Sequence, residues 1–489
     1  MQRRAALLRQ LSAGECIGSL AGLRRPPARA RSAGAGSSLH TLPAPAPPPK
    51  KKKLNPPPRP LPPTPTAAAD CTASSAPSTS TARLSSSALA VAPLLDNPSR
   101  AGPGGRSSVA GVTAAIFGGT GFLGRYVVNA LARAGCQVIC PHRSVEEKAM
   151  PLRQMGDLGQ VVALRDWRLR DDDATRRALE KATVVVNLIG QSVETRNFTY
   201  EQVHAEWPAL LAELALEVRG RDGLERLVHF SDIGADAGSA SRRMRTKAAG
   251  DAALLSASSG VADKLTIFRP APVIGDEDDF LNNLMAQAKF STLMQLVDGG
   301  EPRLAPTHVT DVASAVVAAL RDPRAVGPSP ESAVHYLYGP EVVTMRELAD
   351  LVFGTLHETR DDNSVAVPKA IAKAMWAPLD AVRRSVPPGL PFLANYMQSA
   401  DWAEEIAEEK LPPEMKRQRQ GAGRRAAAAA AAAATRTYAD LGVAPQRVTE
   451  GLAVEALRFG RQGGYSLGDT KELARGLPAS VKRHFGMEH

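Results

Sequence analysis

A short glycine-rich turn between two apolar segments constrains the fold of this chain more than any other feature. The apolar segment Thr113–Phe117 leads directly into residues 118–124, which read GGTGFLG. Helical spacing of apolar residues follows over 123–131, stops at Gly135, and gives way to a second strand-like run at Gln137–Cys140. A strand, a glycine turn, a helix and a second strand within about thirty residues are the context that a dinucleotide-binding fingerprint needs. The pattern therefore predicts a Rossmann-like βαβ unit.

The glycines of this turn have separate physical tasks. Gly118 is expected to make the tight turn off the first strand, Gly121 to let a pyrophosphate approach the backbone, and Gly124 to let the helix pack closely on the sheet. Backbone N–H groups at the start of the helix would then hold phosphate oxygens. The predicted cofactor-binding residues of the turn are Gly118, Thr120, Gly121, Phe122, Leu123 and Gly124. A Rossmann-like shell that holds no nucleotide is the alternative interpretation.

The end of the second strand indicates which dinucleotide the fold would bind. NAD sites place an acidic side chain there for the ribose hydroxyls. In this chain residues 141–144 read PHRS, and the first acidic residues, Glu146 and Glu147, come later. Arg143, together with Arg125, suits the 2′-phosphate of NADPH through charge-assisted hydrogen bonds. NADPH is therefore the predicted cofactor, whereas an ordinary solvated loop arginine is the alternative reading of Arg143.

Strands and helices continue to alternate beyond the fingerprint. Further elements are predicted as strands at Val161–Leu164, 183–189, Arg226–Phe230 and Leu265–Phe268, and as a helix at Tyr200–Val218. Parallel strands joined by helices predict an α/β fold class, a Rossmann-like doubly wound sheet followed by a smaller, mainly helical C-terminal part. Ligands of such sheets bind at the carboxyl ends of the strands. Asn187 and Gly190 after the fourth strand, and Ser231 after the fifth, are therefore further candidate cofactor contacts.

Several longer segments resemble a known family. They are GGTGFLGRYVVN, VVVNLIGQSVETRNF, SRRMRTKAAGD and RPAPVIGDEDDFLNNL. Together they resemble atypical short-chain dehydrogenases/reductases, and among them the nucleotide-binding accessory subunits of mitochondrial respiratory complex I. The resemblance implies a tightly held NADPH, other complex I subunits as partners, and a non-catalytic role in assembly or stability on the matrix side of the inner membrane. An organellar NADP-dependent reductase or epimerase of the same class is the alternative.

The catalytic Tyr-x-x-x-Lys pair of that dehydrogenase family is incomplete. In the pair, the lysine lowers the pKa of the tyrosine for proton transfer. Lys247 is present, but the residue four positions before it is Arg243, and none of the seven tyrosines has a lysine four residues later. No catalytic residue is therefore predicted. Lys247 is expected to hold ribose hydroxyls, and Ser231 either to bond the nucleotide or to cap its strand.

The formal net charge of +10 is confined to the N-terminal tail. Residues 1–100 contain 14 basic and three acidic residues, a charge of +11, whereas the remaining 389 contain 46 basic and 47 acidic residues, a charge of −1. A nearly neutral body gives no support for a nucleic-acid partner. Nor do the nine histidines and four cysteines show metal-ligand spacing, so no metal site is predicted.

Composition divides the chain into four predicted regions. Residues 1–35, Arg-rich with one acid, are predicted to be a mitochondrial transit peptide, with a plain basic tail as the alternative. Residues 36–108 are predicted to be a Pro/Ser/Ala-rich linker without fixed structure. A nucleotide-binding domain is expected over 109–345 and a C-terminal part over 346–489, which carries an Ala-rich insertion at 426–434.

Helical patterns dominate the predicted C-terminal part. They cover Met345–Leu356, Lys369–Arg384 and Val448–Arg458. The second is basic and amphipathic, which suits a membrane surface or a partner subunit, although an ordinary packed surface helix is the favoured alternative. Just before this part, Asp311 is expected to cap the helix that follows it.

Overall fold

The computed structural model describes residues 95, 110–143, 146–256, 259–290, 294–327, 329–356, 364–385, 399–413, 415 and 435–447. All of them belong to one unit that spans 85–489. The predicted transit peptide, the linker apart from Leu95, the Ala-rich insertion and the pattern at Val448–Arg458 lie outside these residues. Among the helices that are described, none is long and apolar enough to cross a membrane.

Thirteen strands are present among the described residues. In chain order they are β1 (Thr113–Phe117), β2 (Gln137–Pro141), β3 (Val161–Leu164), β4 (Val184–Asn187), β5 (Arg226–Phe230), β6 (Leu265–Pro270), β7 (Val273–Ile274), β8 (Met294–Val297), β9 (Arg303–Leu304), β10 (Thr307–His308), β11 (Val334–Leu337), β12 (Val343–Thr344) and β13 (Ser364–Val367). Seven of them form one sheet in the order β11-β6-β5-β4-β1-β2-β3. Every neighbouring pair in this sheet is parallel.

Helices connect the strands and cover both faces of the sheet. They are α1 (Phe122–Arg133), α2 (Glu146–Arg153), α3 (Asp172–Leu179), α4 (Trp207–Gly223), α5 (Arg242–Leu255), α6 (Asp279–Phe290), α7 (Val309–Arg321), α8 (Pro330–Ala333), α9 (Met345–Leu356), α10 (Lys369–Ser385) and α11 (Ala400–Ala407). The predicted doubly wound α/β fold is confirmed, and the predicted strand positions agree with the structure to within two residues.

The side chains of β1 show why its sequence is apolar without alternation. Ala114 and Ile116 are buried in the core on one face of the sheet. Ala115 and Phe117 are buried in the core on the other face, where Phe117 packs against Trp167 with ring centroids 5.5 Å apart. Successive side chains of a strand point to opposite faces, and both faces of a parallel sheet are covered. The sheet therefore requires apolar residues at every position of its central strands.

The smaller C-terminal part shares a second core with two elements that precede it in the chain, α6 and β8. Apolar side chains of α6, α9, α10 and α11 and of the pair β8–β13 form one buried cluster, in which Trp376 and Trp402 lie 5.9 Å apart. Residues 435–447 then return to the large sheet. Arg436 forms a bridge with His335 of β11, and the Tyr438 hydroxyl bonds the Thr307 hydroxyl at 2.7 Å. The mainly helical character of this part agrees with the prediction.

Two local predictions need correction. The helix predicted at Tyr200–Val218 contains a π-helical turn, Gln202–Glu206, before α4 begins. Pro208 explains it, because proline has no N–H to donate to the carbonyl four residues earlier. The second concerns the start of α7, where His308 rather than Asp311 is the N-cap. Asp311 lies in the first turn and accepts hydrogen bonds from Gln446 instead.

Candidate nucleotide-binding site

The glycine turn between β1 and α1 is built by backbone geometry that only glycine allows. Gly118 has a φ of +91°, and a Cβ there would lie 3.1 Å from the backbone carbonyl carbon of Leu188. At Gly124 a Cβ would lie 2.3 Å from the carbonyl oxygen of Gly118. Gly118 therefore makes the turn and Gly124 lets α1 pack against it, as the sequence predicts.

The start of α1 presents backbone N–H groups to a ligand. Gly121 is the N-cap, and no side chain accepts a hydrogen bond from the first turn. A Cβ at Gly121 would lie 3.3 Å from the Gly118 oxygen, so a larger side chain would fill the space above the turn. The side chains of Phe122 and Leu123 pack inward, against Gly275 and the core respectively, which leaves their N–H groups for a phosphate. This cradle fits a dinucleotide.

A cavity of about 470 Å³ opens beside the turn, at the carboxyl ends of β1, β2 and β4. The strand order reverses between β1 and β4, which is where open α/β sheets bind ligands. Five of the predicted residues line it: Gly118, Thr120, Gly121, Arg143 and Gly190. Its described lining includes Trp167, Phe198 and the segment 188–193, but no carboxylate. Arg143 is exposed at its edge and therefore available to a phosphate.

Two other predicted contacts are occupied within the protein. Arg125 forms an ion pair with Glu277 and lies outside the cavity lining. The Asn187 side chain is buried, and its oxygen accepts from the backbone N–H of Ile189 at 3.2 Å and from the Trp207 indole at 3.1 Å. Asn187 thereby fixes the chain direction after β4, while Gly190, which has open space around it, lines the cavity.

Residues 188–198, which follow β4, form one wall of the cavity, although Gly190 is the only one of them predicted to contact the cofactor. The Arg170 guanidinium lies 4.8 Å from the centre of the Phe198 ring and donates to the Asn197 carbonyl at 2.8 Å. The Gln191 N–H donates to His204 Nε2 at 3.1 Å. Burial, with Lys247 and Arg243 nearby, lowers the pKa of His204 well below its ordinary value, so the ring is neutral and can accept this bond.

At the end of β5, Ser231 and Lys247 meet in the expected place. Lys247 donates from Nζ to the Ser231 carbonyl at 3.1 Å and lies 3.6 Å from the Asp232 carboxylate. The Ser231 hydroxyl donates to Asp251 at 2.9 Å and is buried. Burial lowers the pKa of Lys247, an effect that the nearby Asp232 opposes. The Ser231 hydroxyl is therefore already hydrogen-bonded to Asp251, and the Lys247 ammonium is held in place by the Ser231 carbonyl and the Asp232 carboxylate.

Arg243, at the position of the family's tyrosine, forms a buried bidentate ion pair. Its Nε and Nη2 donate to Glu405 of α11 at 2.8 and 2.6 Å, and Nη2 lies 3.6 Å from Asp232. Burial would lower the pKa of the guanidinium, but Glu405 and Asp232 outweigh it and raise the pKa above its ordinary value. The arginine is thus permanently charged and cannot deliver a proton as a tyrosine would. Glu405 was not predicted as a partner of Arg243, because it lies 162 residues away in the chain.

The fold and the glycine cradle define a class, the Rossmann-type proteins that bind nicotinamide dinucleotides. The model of the NAD dependent epimerase/dehydratase family matches residues 114–334. This range contains the whole cradle, Arg143, Ser231 and Lys247.

Relatives with 36–42% sequence identity show which family within this class the chain belongs to. The chain is 42% identical to NADH dehydrogenase (ubiquinone) 1 alpha subcomplex subunit 9, mitochondrial, of Arabidopsis thaliana, over 60% of this chain and 69% of that protein. It is 41% identical to the subunit of the same name from Mus musculus (53% and 65%), and 36% identical to the NADH-ubiquinone oxidoreductase 40 kDa subunit, mitochondrial, of Neurospora crassa (56% and 70%). The chain belongs to the family of these subunits. The alignments span about two thirds of each relative.

Proposed function

We propose that this chain is a non-catalytic accessory subunit of mitochondrial respiratory complex I that holds NADPH as a structural cofactor. One observation carries the proposal. The phosphate cradle of the Rossmann fold is intact, while the place of the proton donor is taken by Arg243, which is bound to Glu405. Such a site has the backbone cradle that binds a dinucleotide, but it lacks the tyrosine that would donate a proton during reduction of a carbonyl group.

The names of the relatives support the proposal that this chain is a subunit of complex I. They are mitochondrial subunits of NADH dehydrogenase (ubiquinone). We therefore place this chain among the complex I subunits, on the matrix side of the inner membrane, with other complex I subunits as partners and a role in assembly or stability. The Arg-rich residues 1–35 agree with import into mitochondria.

NADPH is preferred over NADH because of the charge at one end of the cavity. Binding of a ribose 2′-hydroxyl calls for a carboxylate, and the described lining residues include none. Arg143 supplies a guanidinium at the end of β2, which pairs with a 2′-phosphate. When bound, the dinucleotide would supply a hydride-carrying nicotinamide. The N–H groups at the start of α1 would hold its pyrophosphate, and Lys247 its ribose hydroxyls.

The C-terminal helix α10 is the proposed contact with a membrane surface or a neighbouring subunit. Ile371, Met375 and Val382 are exposed by 58%, 46% and 43% although they are large and apolar. They return to one side of the helix because they lie four and eleven residues apart. This face is separate from the side that buries Trp376 in the C-terminal core.

A reductase or epimerase that uses another proton donor is the second candidate. The placement of Lys247 beside Ser231 favours it. Against it, the Ser231 hydroxyl donates to Asp251, and burial raises the pKa of Tyr200, a tyrosine that lies close enough to Arg243 to feel its charge. NADPH oxidation by the purified protein with any carbonyl substrate would favour this candidate over a purely structural cofactor.

A variant of the phosphate cradle tests the proposal in the native assembly. Gly121→Val keeps an allowed backbone conformation, since φ is −75°, but fills the space above the turn. We expect the wild-type chain to migrate with complex I and to release NADPH on denaturation, and Gly121→Val to carry no nucleotide. Wild-type protein found only in small soluble fractions would contradict the complex I assignment. Unchanged nucleotide content in the variant would contradict the location of the site.

A further inference from the structure

Helix α11 presents three acidic side chains to the first turn of α5. Asp401 in the first turn and Glu405 in the last lie four residues apart on one face of α11, and Glu408 directly follows the last residue of the helix. All three bind within residues 239–243. This segment opens the helix that carries Arg243 and Lys247. We call the three carboxylates the acidic face of α11.

The outer two members hold the backbone of α5. Asp401 accepts from the N–H groups of Arg242 and Arg243 at 2.6 and 3.0 Å and from the Ser241 hydroxyl at 2.9 Å. It therefore supplies acceptors to the unpaired N–H groups that begin a helix, from a different element of the chain. Glu408 accepts from the Ser239 hydroxyl and from the Ala240 N–H, both at 3.1 Å.

Glu405, the middle carboxylate of the acidic face, connects α11 to Arg243 and, through Asp232, to Lys247. Glu405 binds Arg243 through two hydrogen bonds and also contacts Lys410. Arg243 and Lys247 each lie 3.6 Å from the same oxygen of Asp232, directly after β5. Burial would raise the pKa of Asp232, but Lys410, Lys247 and Arg243 outweigh it and hold the pKa below its ordinary range. The group is thus ionised and continuous from α11 to Lys247.

The pairing of these buried charges depends on α11 being in place. Arg243, Lys247 and Lys410 are paired with Asp232 and Glu405, while the half-buried Asp401 bonds the backbone N–H of Arg243. Removal of one partner from a buried pair leaves an uncompensated charge, which is strongly unfavourable. If α11 moved away, Arg243 would lose its carboxylate and compete with Lys247 for Asp232. The position of Lys247 therefore depends on the docking of α11.

We propose that the docking of α11 and the retention of the dinucleotide are thermodynamically linked through the chain of contacts Glu405–Arg243–Asp232–Lys247. The inference rests on the proposed function, because it assigns Lys247 to a bound nucleotide. The linkage is reciprocal: the docked helix slows nucleotide release, and bound nucleotide stabilises the docked helix. Lys247 is the residue assigned to the nucleotide, and Arg243 and Glu405 act through it as positioning residues; none of the three belongs to the lining of the cavity of about 470 Å³.

The full-length protein with NADPH as the probe tests the linkage. Glu405→Gln keeps the shape of the side chain but removes the charge that Arg243 needs. We expect NADPH to dissociate about tenfold faster from this variant, within the 5- to 150-fold range usual for such coupling. We also expect NADPH to slow hydrogen exchange in α11 of the wild type, and this slowing to be lost in the variant. Glu404→Gln is the matched control, because Glu404 pairs with Lys369 and Lys373 of α10 instead.

The outcomes separate the two proposals. If Glu405→Gln releases NADPH at the wild-type rate while exchange in α11 has increased, the linkage is wrong and the nucleotide site stands. If the wild type itself binds no dinucleotide, both proposals fail. Should Glu405→Gln not fold, Asp401→Asn provides the same comparison, because it leaves the Arg243–Glu405 pair intact and weakens only the docking of α11. An unchanged dissociation rate in a folded Asp401→Asn variant would equally overturn the linkage.

Discussion

Gly121 and Gly124 lie three residues apart in the same turn, but a side chain is excluded from the two positions for different reasons. A side chain at Gly121 would extend into the space for the ligand, whereas one at Gly124 would meet the backbone of the turn itself. A Cβ added at Gly124 would lie 2.3 Å from the Gly118 carbonyl oxygen and 2.7 Å from the Gly119 Cα. Neither atom can rotate away, so the whole start of α1 would have to move.

Gly124→Ala should therefore both destabilise the protein and abolish nucleotide binding. Forcing an extra methyl into a well-packed place costs about 1–3 kcal/mol. Thermal unfolding and nucleotide content, measured on the same sample, check this. Gly238→Ala is the control, since its Cβ would lie 3.8 Å from the Asp236 carboxylate, an ordinary van der Waals contact. Wild-type stability in Gly124→Ala would show that α1 does not pack as described.

In the proposed site, Arg143 would determine the preference for NADPH over NADH. Arg143→Glu should weaken NADPH binding at least tenfold and improve NADH binding, because a carboxylate repels the 2′-phosphate and accepts from a ribose hydroxyl. A hydrogen bond to a charged group contributes roughly 1.5–3 kcal/mol, which corresponds to about ten- to a hundredfold in affinity. Titration of both nucleotides against both proteins measures it. Equal affinities of wild type and variant for NADPH would mean that Arg143 is an ordinary loop arginine.

At the scale of elements, α10 is the helix whose exposed face has no described partner. Replacing Ile371 and Met375 with Asp should leave the unfolding temperature nearly unchanged, since exposed substitutions usually shift stability by no more than about 0.5 kcal/mol. The same variant should lose its association with the membrane-bound complex. Ala377→Asp, on another exposed side of α10, is the control. Association as strong as in the wild type would exclude this face as the contact.

The elements also show what could be predicted from the sequence. β1, α1 and β2 were predictable because their apolar spacing and glycines are local signals, and Met345–Leu356 was predicted with the bounds that the structure has. The π-helical turn at Gln202–Glu206 was missed although Pro208 is a local signal for it. The pairing of Arg243 with Glu405 depends on the tertiary packing of α11 on α5, and no spacing in the sequence encodes that contact. The phosphate cradle was therefore predictable from the sequence, whereas the ion pair between Arg243, at the position of the family's tyrosine, and Glu405 was not.

At the scale of the whole molecule, buried histidines should make stability depend on pH. Burial lowers the pKa of His229 and of His335 from 6.5 to about 4, and lowers that of His204 as well. Between these values the unfolded chain binds protons that the folded chain does not, so stability falls as the pH drops from about 6.5 toward 4. Each histidine contributes roughly 1.4 kcal/mol per pH unit.

Asp278 opposes this trend, and Asp279, whose pKa burial also raises, does so to a smaller extent. Burial raises the pKa of Asp278 from 3.8 to about 7, so the folded state holds one extra proton over nearly the same range. Three histidines outweigh these two carboxyls, and the unfolding temperature should fall on acidification from pH 7 to 5. His335→Gln should show a shallower fall than the wild type. A constant unfolding temperature over this range would contradict the burial of these side chains.

The proposed function requires a molecule that keeps a dinucleotide and does not use it. This is tested by the identity of the nucleotide released when the native protein is denatured after incubation with a panel of carbonyl substrates. We expect NADPH, unoxidised, in an amount equal to the protein. Release of NADP⁺ after incubation with any substrate, or the absence of a nucleotide before it, would show that the dinucleotide is not a structural cofactor.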